Sequence, residues 1–155
     1  MKYINNNLIQ GESLLKAGKV HWFVFFSGAF VTLFGGLLLI GSSDSKMNLL
    51  VGTIILLVGA ISLIKAYFYY IGTELAVTNK RVVAKFGFIK RDSIELNYSA
   101  VESITVEQGI VGRILNFGTV WVNGSGGRRA PIPIIVAPLE FRKFALEAFE
   151  SQNDS

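Results

Sequence analysis

The sequence of 155 residues has no cysteine, and this absence excludes disulfides, thiol chemistry and cysteine-based metal sites. It has one histidine, His21, and no Ser/His/Asp set or metal-ligand cluster at a spacing typical of an active site. Charged residues are scarce as well, at 17% against about 25% for soluble domains. We therefore expect a protein that is not an enzyme and that uses no cofactor or metal.

The charge that is present does not suit a nucleic-acid-binding protein. The net charge is +4, but residues 1–72 hold five lysines and two acids, whereas residues 73–155 are nearly neutral. A nucleic-acid-binding domain usually has a broad basic excess. Apolar residues make up 51% of the chain, and the mean hydropathy is positive, at +0.47. These values favour a membrane protein whose partner is lipid rather than nucleic acid.

Two long apolar runs account for this composition. Residues 22–40 and 47–64 contain no charged side chain. A helix of the first length reaches ~28 Å, close to the ~30 Å hydrocarbon core of a bilayer. A short polar turn separates the runs. We predict a hairpin of antiparallel transmembrane helices over residues 21–72, with spans at about 22–40 and 47–66.

Flanking charge predicts how this hairpin is oriented. Lysines precede the first span, and Lys65, Lys80 and Arg81 follow the second, whereas the turn between them has one lysine and Asp44. The positive-inside rule then places both termini in the cytoplasm. A cleaved signal peptide is the rival interpretation of the first run. It fits poorly, because the run is too long, starts late and lacks a small-x-small cleavage site.

Small residues recur at helical spacing in both spans and are candidates for helix packing. They are Gly28, Thr32 and Gly36 in the first span and Gly52 and Gly59 in the second. Such residues let helices approach closely, and we favour packing within the hairpin over homo-oligomerisation. Neither span contains Asp, Glu or Arg, which argues against a pump or transporter.

After Gly72 the apolar pattern changes to the alternation of β-strands. Strands are predicted at ELAVT (74–78), RVVAKF (81–86), DSIELNY (92–98), VESITVEQ (101–108), GTVWVNG (118–124) and APIPIIVA (130–137). The prolines of the last segment suggest an edge strand. Closely spaced short strands with turns between them are typical of an antiparallel sheet or barrel.

The segment PLEFRKFALEAFE (138–150) has a helical rather than an alternating pattern. Its apolar stripe consists of Phe141, Phe144, Ala145, Ala148 and Phe149. We therefore expect a domain over 73–150 with six or seven strands and a C-terminal amphipathic helix, followed by a disordered tail at 151–155. Residues 1–20 form an amphiphilic lead-in, for which two interpretations stay open: contact with the membrane interface or packing against the cytoplasmic domain.

Three motifs in this order resemble the bacterial pleckstrin-homology-like membrane proteins of the YdbS/YdbT-like group, formerly classed as a domain of unknown function. The first consists of Glu74, Thr78, Arg81 and Val82, downstream of GESLL…GKVHW at 11–22. The second consists of Gly112, Arg113, Ile114, Leu115, Gly118 and Thr119, and the third covers residues 138–141. The resemblance implies a seven-stranded PH-like β-barrel closed by a C-terminal helix, but no settled activity. The Pro-rich segment GSGGRRAPIP departs from the pattern, so the register of the last strand stays open.

Five basic residues lie after the second span and are candidate contacts for anionic lipid headgroups. They are Lys80, Arg81, Lys85, Lys90 and Arg91. A basic residue near an anionic surface contributes ~1 kcal/mol. The competing and favoured interpretation assigns them to turns and to a solvated outer face, because Arg81 and Lys85 lie opposite Val82 and Ala84 on the predicted strand.

Three further features have a structural interpretation that we favour over a functional one. The segment GSGGRR is a flexible hairpin turn rather than an anion-binding nest. Arg113 pairs with an acid or caps a short turn, and Trp121 packs rather than stacking on a ligand.

The sequence as a whole predicts a membrane-anchored, PH-like interaction module. It would bind a protein partner or a second copy of itself at the cytoplasmic face of the bacterial inner membrane. Two alternatives stay open: a sensor of anionic lipid, and an accessory subunit of a membrane enzyme or transporter. Fold alone does not decide among them.

Overall fold

The structure, a computed structural model, describes residues 2–41, 45–87, 92–125 and 128–153. In chain order its elements are α1 (Lys2–Asn6), β1 (Leu14–Gly18), α2 (Phe26–Gly41), α3 (Lys46–Gly72), β2 (Glu74–Thr78), β3 (Arg81–Phe86), β4 (Asp92–Asn97), β5 (Val101–Glu107), α4 (Ile110–Ile114), β6 (Phe117–Gly124), β7 (Arg128–Val136) and α5 (Pro138–Asn153). They form two compact units. One unit comprises Met1–His21 with Gly72–Ser155, and the other comprises Trp22–Ile71.

The second unit consists of the two long apolar helices. With the 3-10 turn before α2, the first covers Trp22–Gly41, and the second is α3; their mean hydropathies are 2.3 and 2.4. Only 11% of each apolar window is buried. A core helix of a soluble protein would be mostly buried. By length and composition, both helices could cross a membrane.

Small residues of α2 and α3 lie where the two helices meet. A Cβ atom added at Gly28 would lie 3.0 Å from the Leu63 side chain, and one added at Gly59 would lie 2.6 Å from the Thr32 backbone nitrogen. These contacts leave no space for a larger side chain.

Two other glycines show how the first helix is rotated. A Cβ atom at Gly36 would meet nothing within 4 Å, whereas one at Gly35 would lie 2.7 Å from the Leu56 backbone nitrogen. A Cβ atom at Gly52 would lie 2.9 Å from Leu39. The contact stripe of α2 therefore passes through Gly35, and Gly36, the residue named from the sequence, lies beside it.

The strands of the first unit form two antiparallel sheets, in the orders β1-β2-β3-β4 and β5-β6-β7. All six strands predicted after Gly72 are present. Strand β7 is an edge strand, as its prolines indicated. Its register shifts by one residue where Val120 pairs with Ile132 and Gly118 with Ile135, a bulge that settles the register left open by the sequence.

The seventh strand, β1, comes from the N-terminal segment and was not predicted as a strand. It pairs antiparallel with β2, with Gly18 opposite Leu75. Beyond it, Val20 forms a bridge to Ile135 of β7. The helical unit is therefore inserted in the connection between two neighbouring strands of the first unit. Of the two interpretations of residues 1–20, packing against the strand-rich unit is the one that the structure has.

Helix α1 covers the outer face of β2 and β3. Ile4 is 2% exposed and packs on Ala76 and Val83, with Tyr3 and Leu8 beside it. The inner face carries Leu75 and Val77, which are also buried. Both faces of these strands are therefore buried, and the alternation predicted from their sequence does not separate a core face from a solvent face.

Helix α5 closes the first unit with the predicted stripe. Phe141, Ala145 and Ala148 are at most 5% exposed. Phe144 is 39% exposed, and the Lys16 ammonium lies 4.4 Å from its ring centroid. The helix continues through residues 151–153, which the sequence analysis assigned to a disordered tail.

The position of β1 predicts which fragments of the protein fold. A chain in which residues 1–21 are joined to 72–155 by a short Gly/Ser linker should unfold cooperatively on heating, because it retains both sheets. Residues 73–155 alone lose β1, α1 and the cover of the outer face, and should show no cooperative transition. Circular dichroism melting compares the two, and equal melting temperatures would rule out a structural role for β1.

Candidate functional site

The outer face of the four-stranded sheet holds a buried cluster of charges centred on Arg81. Its Nε donates to Glu12 Oε1 at 2.9 Å, and its Nη2 donates to Glu12 Oε2 at 3.0 Å, so the pair is bidentate. Nη1 donates to Glu95 Oε2 at 2.5 Å, and Nη2 also donates to the Asn7 carbonyl at 3.0 Å. The guanidinium is thus bound to the N-terminal segment on one side and to β4 on the other.

The Glu12 carboxylate receives further hydrogen bonds that keep it ionised. The Thr78 hydroxyl donates to it at 2.8 Å, and the Ile9 backbone N–H donates at 2.7 Å. Burial by itself would raise the pKa of Glu12, but the hydrogen bond from Arg81 and those from Ile9 and Thr78 outweigh burial and hold the pKa below 4.5. The hydrogen bond to Glu12 in turn raises the pKa of Arg81.

This burial corrects the expectation of a solvated outer face on β3. Arg81 is 9% exposed and Lys85 is 7% exposed. The Lys85 ammonium lies 5.7 Å from the ring centroid of Tyr3, in the segment that covers the sheet. The expectation failed because strand alternation identifies which residues share a face but not what covers that face.

The other basic candidates divide between the surface and the part of the chain outside the described residues. Lys80 is exposed, and its Nζ donates to the Gln10 carbonyl at 2.8 Å. Lys90 and Arg91 lie outside the described residues. Among the three described candidates, therefore, each contacts the N-terminal segment, and Arg81 is already neutralised by two carboxylates.

Hydrogen bonds in the turn between β2 and β3 hold the cluster in place. The Thr78 hydroxyl accepts hydrogen bonds from the backbone N–H of Lys80 and of Arg81, at 3.2 and 3.1 Å. The Asn79 side chain holds the N-terminal segment. It donates to the Gly11 carbonyl at 3.0 Å and accepts a hydrogen bond from the Ser13 backbone N–H at 2.8 Å. The first sequence motif, which contains Thr78 and Arg81, therefore has a structural role, because it docks the N-terminal segment.

Tyr98 lies beneath this turn, and its hydroxyl donates to the Thr78 carbonyl. Burial, with the nearby Glu12 carboxylate, raises the pKa of Tyr98 to about 12. The phenol therefore stays neutral, and it serves as a hydrogen-bond donor within the core.

The second motif folds helix α4 tightly against the start of β6. A Cβ atom at Gly112 would lie 2.6 Å from the Phe117 carbonyl, and one at Gly118 would lie 2.7 Å from the Glu107 carbonyl. Gln108 Nε2 donates to the Phe117 carbonyl at 3.0 Å. The two glycines are required by close backbone approach, so this motif too has a structural cause.

One side of α4 remains uncovered and forms what we call the α4 patch: Ile110, Val111, Arg113, Ile114 and Leu115. Ile110 is 81% exposed and Ile114 is 77% exposed, and Arg113 is exposed between them. Arg113 donates its backbone N–H to Gly109 O at 2.9 Å, in the last turn of the helix. Its side chain, with Asn116 and Leu139, lines a cleft of about 430 Å³.

The remaining sequence candidates lie on or next to strand β6. Gly124 pairs with Arg128, so the Gly-rich segment connects adjacent strands as predicted, although residues 126–127 lie outside the described residues. Trp121 is half-buried on β6. His21 is 8% exposed and packs on Phe117, with 5.1 Å between the ring centroids. Within the described residues, no three His, Cys, Asp or Glu side chains are grouped to hold a metal ion.

Glu12, the acid on which the cluster depends, was not among the candidates predicted from the sequence. One sequence feature would have singled it out, because Glu12 is the only acid among the first forty-three residues. Its partner could not be identified, because the two are 69 residues apart along the chain.

Loss of either Glu12 or Arg81 should destabilise the first unit strongly. Arg81→Met leaves the Glu12 carboxylate buried without its counter-ion, and we expect the free energy of unfolding to fall by about 3 kcal/mol. Urea unfolding of the joined chain 1–21/72–155 measures this change. The control is Arg142→Met on the exposed face of α5, which should change the same quantity by less than about 0.5 kcal/mol. Equal effects of the two substitutions would refute the role of the cluster.

The lowered pKa of Glu12 predicts loss of stability in acid. Because the folded state binds this proton less readily than the unfolded state, stability is fully present above about pH 4.5 and falls as the pH drops toward the folded-state pKa below that value. Melting temperatures measured across this range should show the fall in the parent chain. Glu12→Gln should show a shallower dependence from a lower starting temperature, and parallel curves would contradict the assignment.

A protein-family model matches most of the chain. The family model described as bacterial PH domain matches residues 26–145, a stretch that includes both apolar helices, strands β2 to β7 and the first half of α5. No match was found among curated proteins or among solved structures. This match shows the family but does not confirm the YdbS/YdbT-like group that the motifs suggested. With two antiparallel sheets, a closing helix and a match over more than half of its length, the chain belongs to the bacterial PH domain family.

Proposed function

We propose that this protein is a membrane-anchored, non-enzymatic interaction module. Its PH-like unit would bind a protein partner or a second copy of the chain at the cytoplasmic face of the bacterial inner membrane. The observation that carries the proposal is the position of the apolar helices, which are inserted between the neighbouring strands β1 and β2. An anchor placed there attaches the unit at two points of its own sheet.

The state of the charged residues supports binding rather than chemistry. The buried ionised groups Glu12 and Arg81 are paired with each other, and Glu12 also accepts a hydrogen bond from Thr78. A catalytic acid or base needs access to a substrate and a pKa near the working pH. Glu12 has neither feature, because its side chain is 0% exposed and its pKa is lowered.

The same cluster weighs against a lipid sensor built on the five basic residues. Arg81 is buried and paired, and Lys85 is covered by the N-terminal segment. Only Lys80, among the described members, is exposed. A tethered unit does not need strong headgroup recognition, since anchoring already concentrates it at the membrane, where weak contacts with a neighbouring protein suffice.

The proposed orientation follows from the distribution of lysine and arginine. The segments before the first apolar helix and after the second are basic, so both ends of the chain and the whole PH-like unit are assigned to the cytoplasm. Because two candidate spans lie between β1 and β2, both halves of the unit would lie on the same side of the membrane.

Purification from its own cells in mild detergent tests the proposal. A tagged full-length chain should bring down one partner in stoichiometric amount, or should elute as a defined homo-oligomer by light scattering. A photo-crosslinking residue at an exposed position such as Glu150 would capture the same species before lysis. A chain that is monomeric in detergent and makes no crosslink in cells would contradict the proposal.

A further inference from the structure

The α4 patch has the features of a surface that contacts something apolar. Ile110 and Ile114 lie four residues apart on one side of the helix, and each exposes more than three quarters of its surface. Val111 is 51% exposed and Leu139 of α5, across the cleft, is 57% exposed. Isolated exposed aliphatic residues need no explanation, but a group of neighbouring exposed aliphatic residues is typical of an interaction surface.

The patch lies beside the point at which the chain leaves the first unit. Phe117, two residues after Leu115, is in ring contact with His21, and Trp22 follows directly as the first residue of the apolar run. The Ala137 backbone N–H donates to the Asn116 carbonyl at 2.9 Å, while the His21 N–H donates to Ile134 at 2.7 Å. One end of the three-stranded sheet therefore holds both the α4 turn and the exit of the chain.

Charge indicates which apolar phase the patch would contact. Arg113 is the only charged residue between Gly109 and Phe117, so the segment is a basic aliphatic turn without an acid. Aliphatic side chains next to an arginine match the boundary between acyl chains and anionic headgroups, where the cation remains at the phosphate level. A protein partner for such a turn would need an apolar groove with an acid at its rim, and nothing about the turn selects it.

We propose that the α4 patch inserts into the interfacial region of an anionic lipid bilayer, with Ile110 and Ile114 among the acyl chains and Arg113 at the headgroup phosphates. This contact would fix the face that the PH-like unit turns to the membrane, leaving the opposite end of the sheet for a partner. The inference rests on the proposed membrane anchoring, and it differs from the five-residue basic set, none of which belongs to the patch.

The absence of cysteine makes a site-specific test straightforward. Ile114→Cys in the full-length protein is labelled with a polarity-sensitive fluorophore, and the protein is reconstituted into phosphatidylcholine vesicles containing phosphatidylglycerol. We expect blue-shifted emission that is quenched by nitroxide-labelled lipid. The matched control is Ser125→Cys, which is exposed just beyond the other end of β6, a strand that spans roughly 24 Å at ~3.4 Å per residue. Its emission should be neither shifted nor quenched.

A third probe separates failure of the inference from failure of the anchoring. Val58→Cys lies on α3 with 52% of the native side chain exposed, and its probe reports whether that helix is in the bilayer. Quenching at position 58 without quenching at 114 overturns the α4 contact and leaves the anchoring intact. Quenching at neither position overturns both. A blue shift at 114 without lipid quenching means that a protein or a second copy covers the patch, which also overturns the inference.

Arg113 supplies a test of the headgroup contact. Arg113→Gln should lower the ratio of inserted to free label at position 114 about fivefold in anionic vesicles. It should have little effect in vesicles of phosphatidylcholine alone. The matched control is Arg142→Gln on α5, which should leave the ratio unchanged in both. Equal loss from the two substitutions, or a loss that is independent of lipid charge, would contradict the assignment of Arg113.

Discussion

The folded unit depends on an ion pair between two residues that lie 69 positions apart and on opposite sides of the apolar insertion. The side chain of Glu12 is fully buried and that of Arg81 is 10% exposed, and a buried charge is tolerated only when it is paired and hydrogen-bonded. Each charge is therefore stable in its buried position only when the other is paired with it. The pair couples the N-terminal segment to the sheet that forms after the apolar helices.

This coupling has a consequence for how the unit is attached. The strand β1 ends at Gly18 and β2 begins at Glu74, so the two attachment points belong to paired strands of the same sheet. The segment through His21 is held to β7 by backbone hydrogen bonds, and Thr73 alone separates α3 from β2. Under the proposed anchoring, which already concentrates the unit at the membrane, a weak surface such as the α4 patch would suffice to select one face.

The sequence predicted strands and the closing helix well because these depend on local pattern. The alternation in Arg81–Phe86 predicted β3 to the residue, and the stripe through Phe141 predicted the buried side of α5. It did not predict β1, since LLKAG has no alternation and its partner lies beyond both apolar helices. The sequence also misplaced Arg81 at the surface. An arginine is usually exposed unless a carboxylate pairs with it, and here the carboxylate lies far away along the chain. Gly35 was likewise missed, as helical spacing alone does not fix the rotation of a helix.

The central claim is that the N-terminal segment is a strand of the PH-like unit, and a pair of cysteines tests it most directly. Ala17 and Ala76 face each other across β1 and β2, so in the otherwise cysteine-free chain Ala17→Cys/Ala76→Cys should oxidise readily to an intramolecular disulfide. The comparison is Ala17→Cys/Ser93→Cys, whose second residue lies on β4, three strands from β1 and ~14 Å away. We expect a fast, complete crosslink in the first chain and none in the second. Equal crosslinking in both, or none in either, would contradict it.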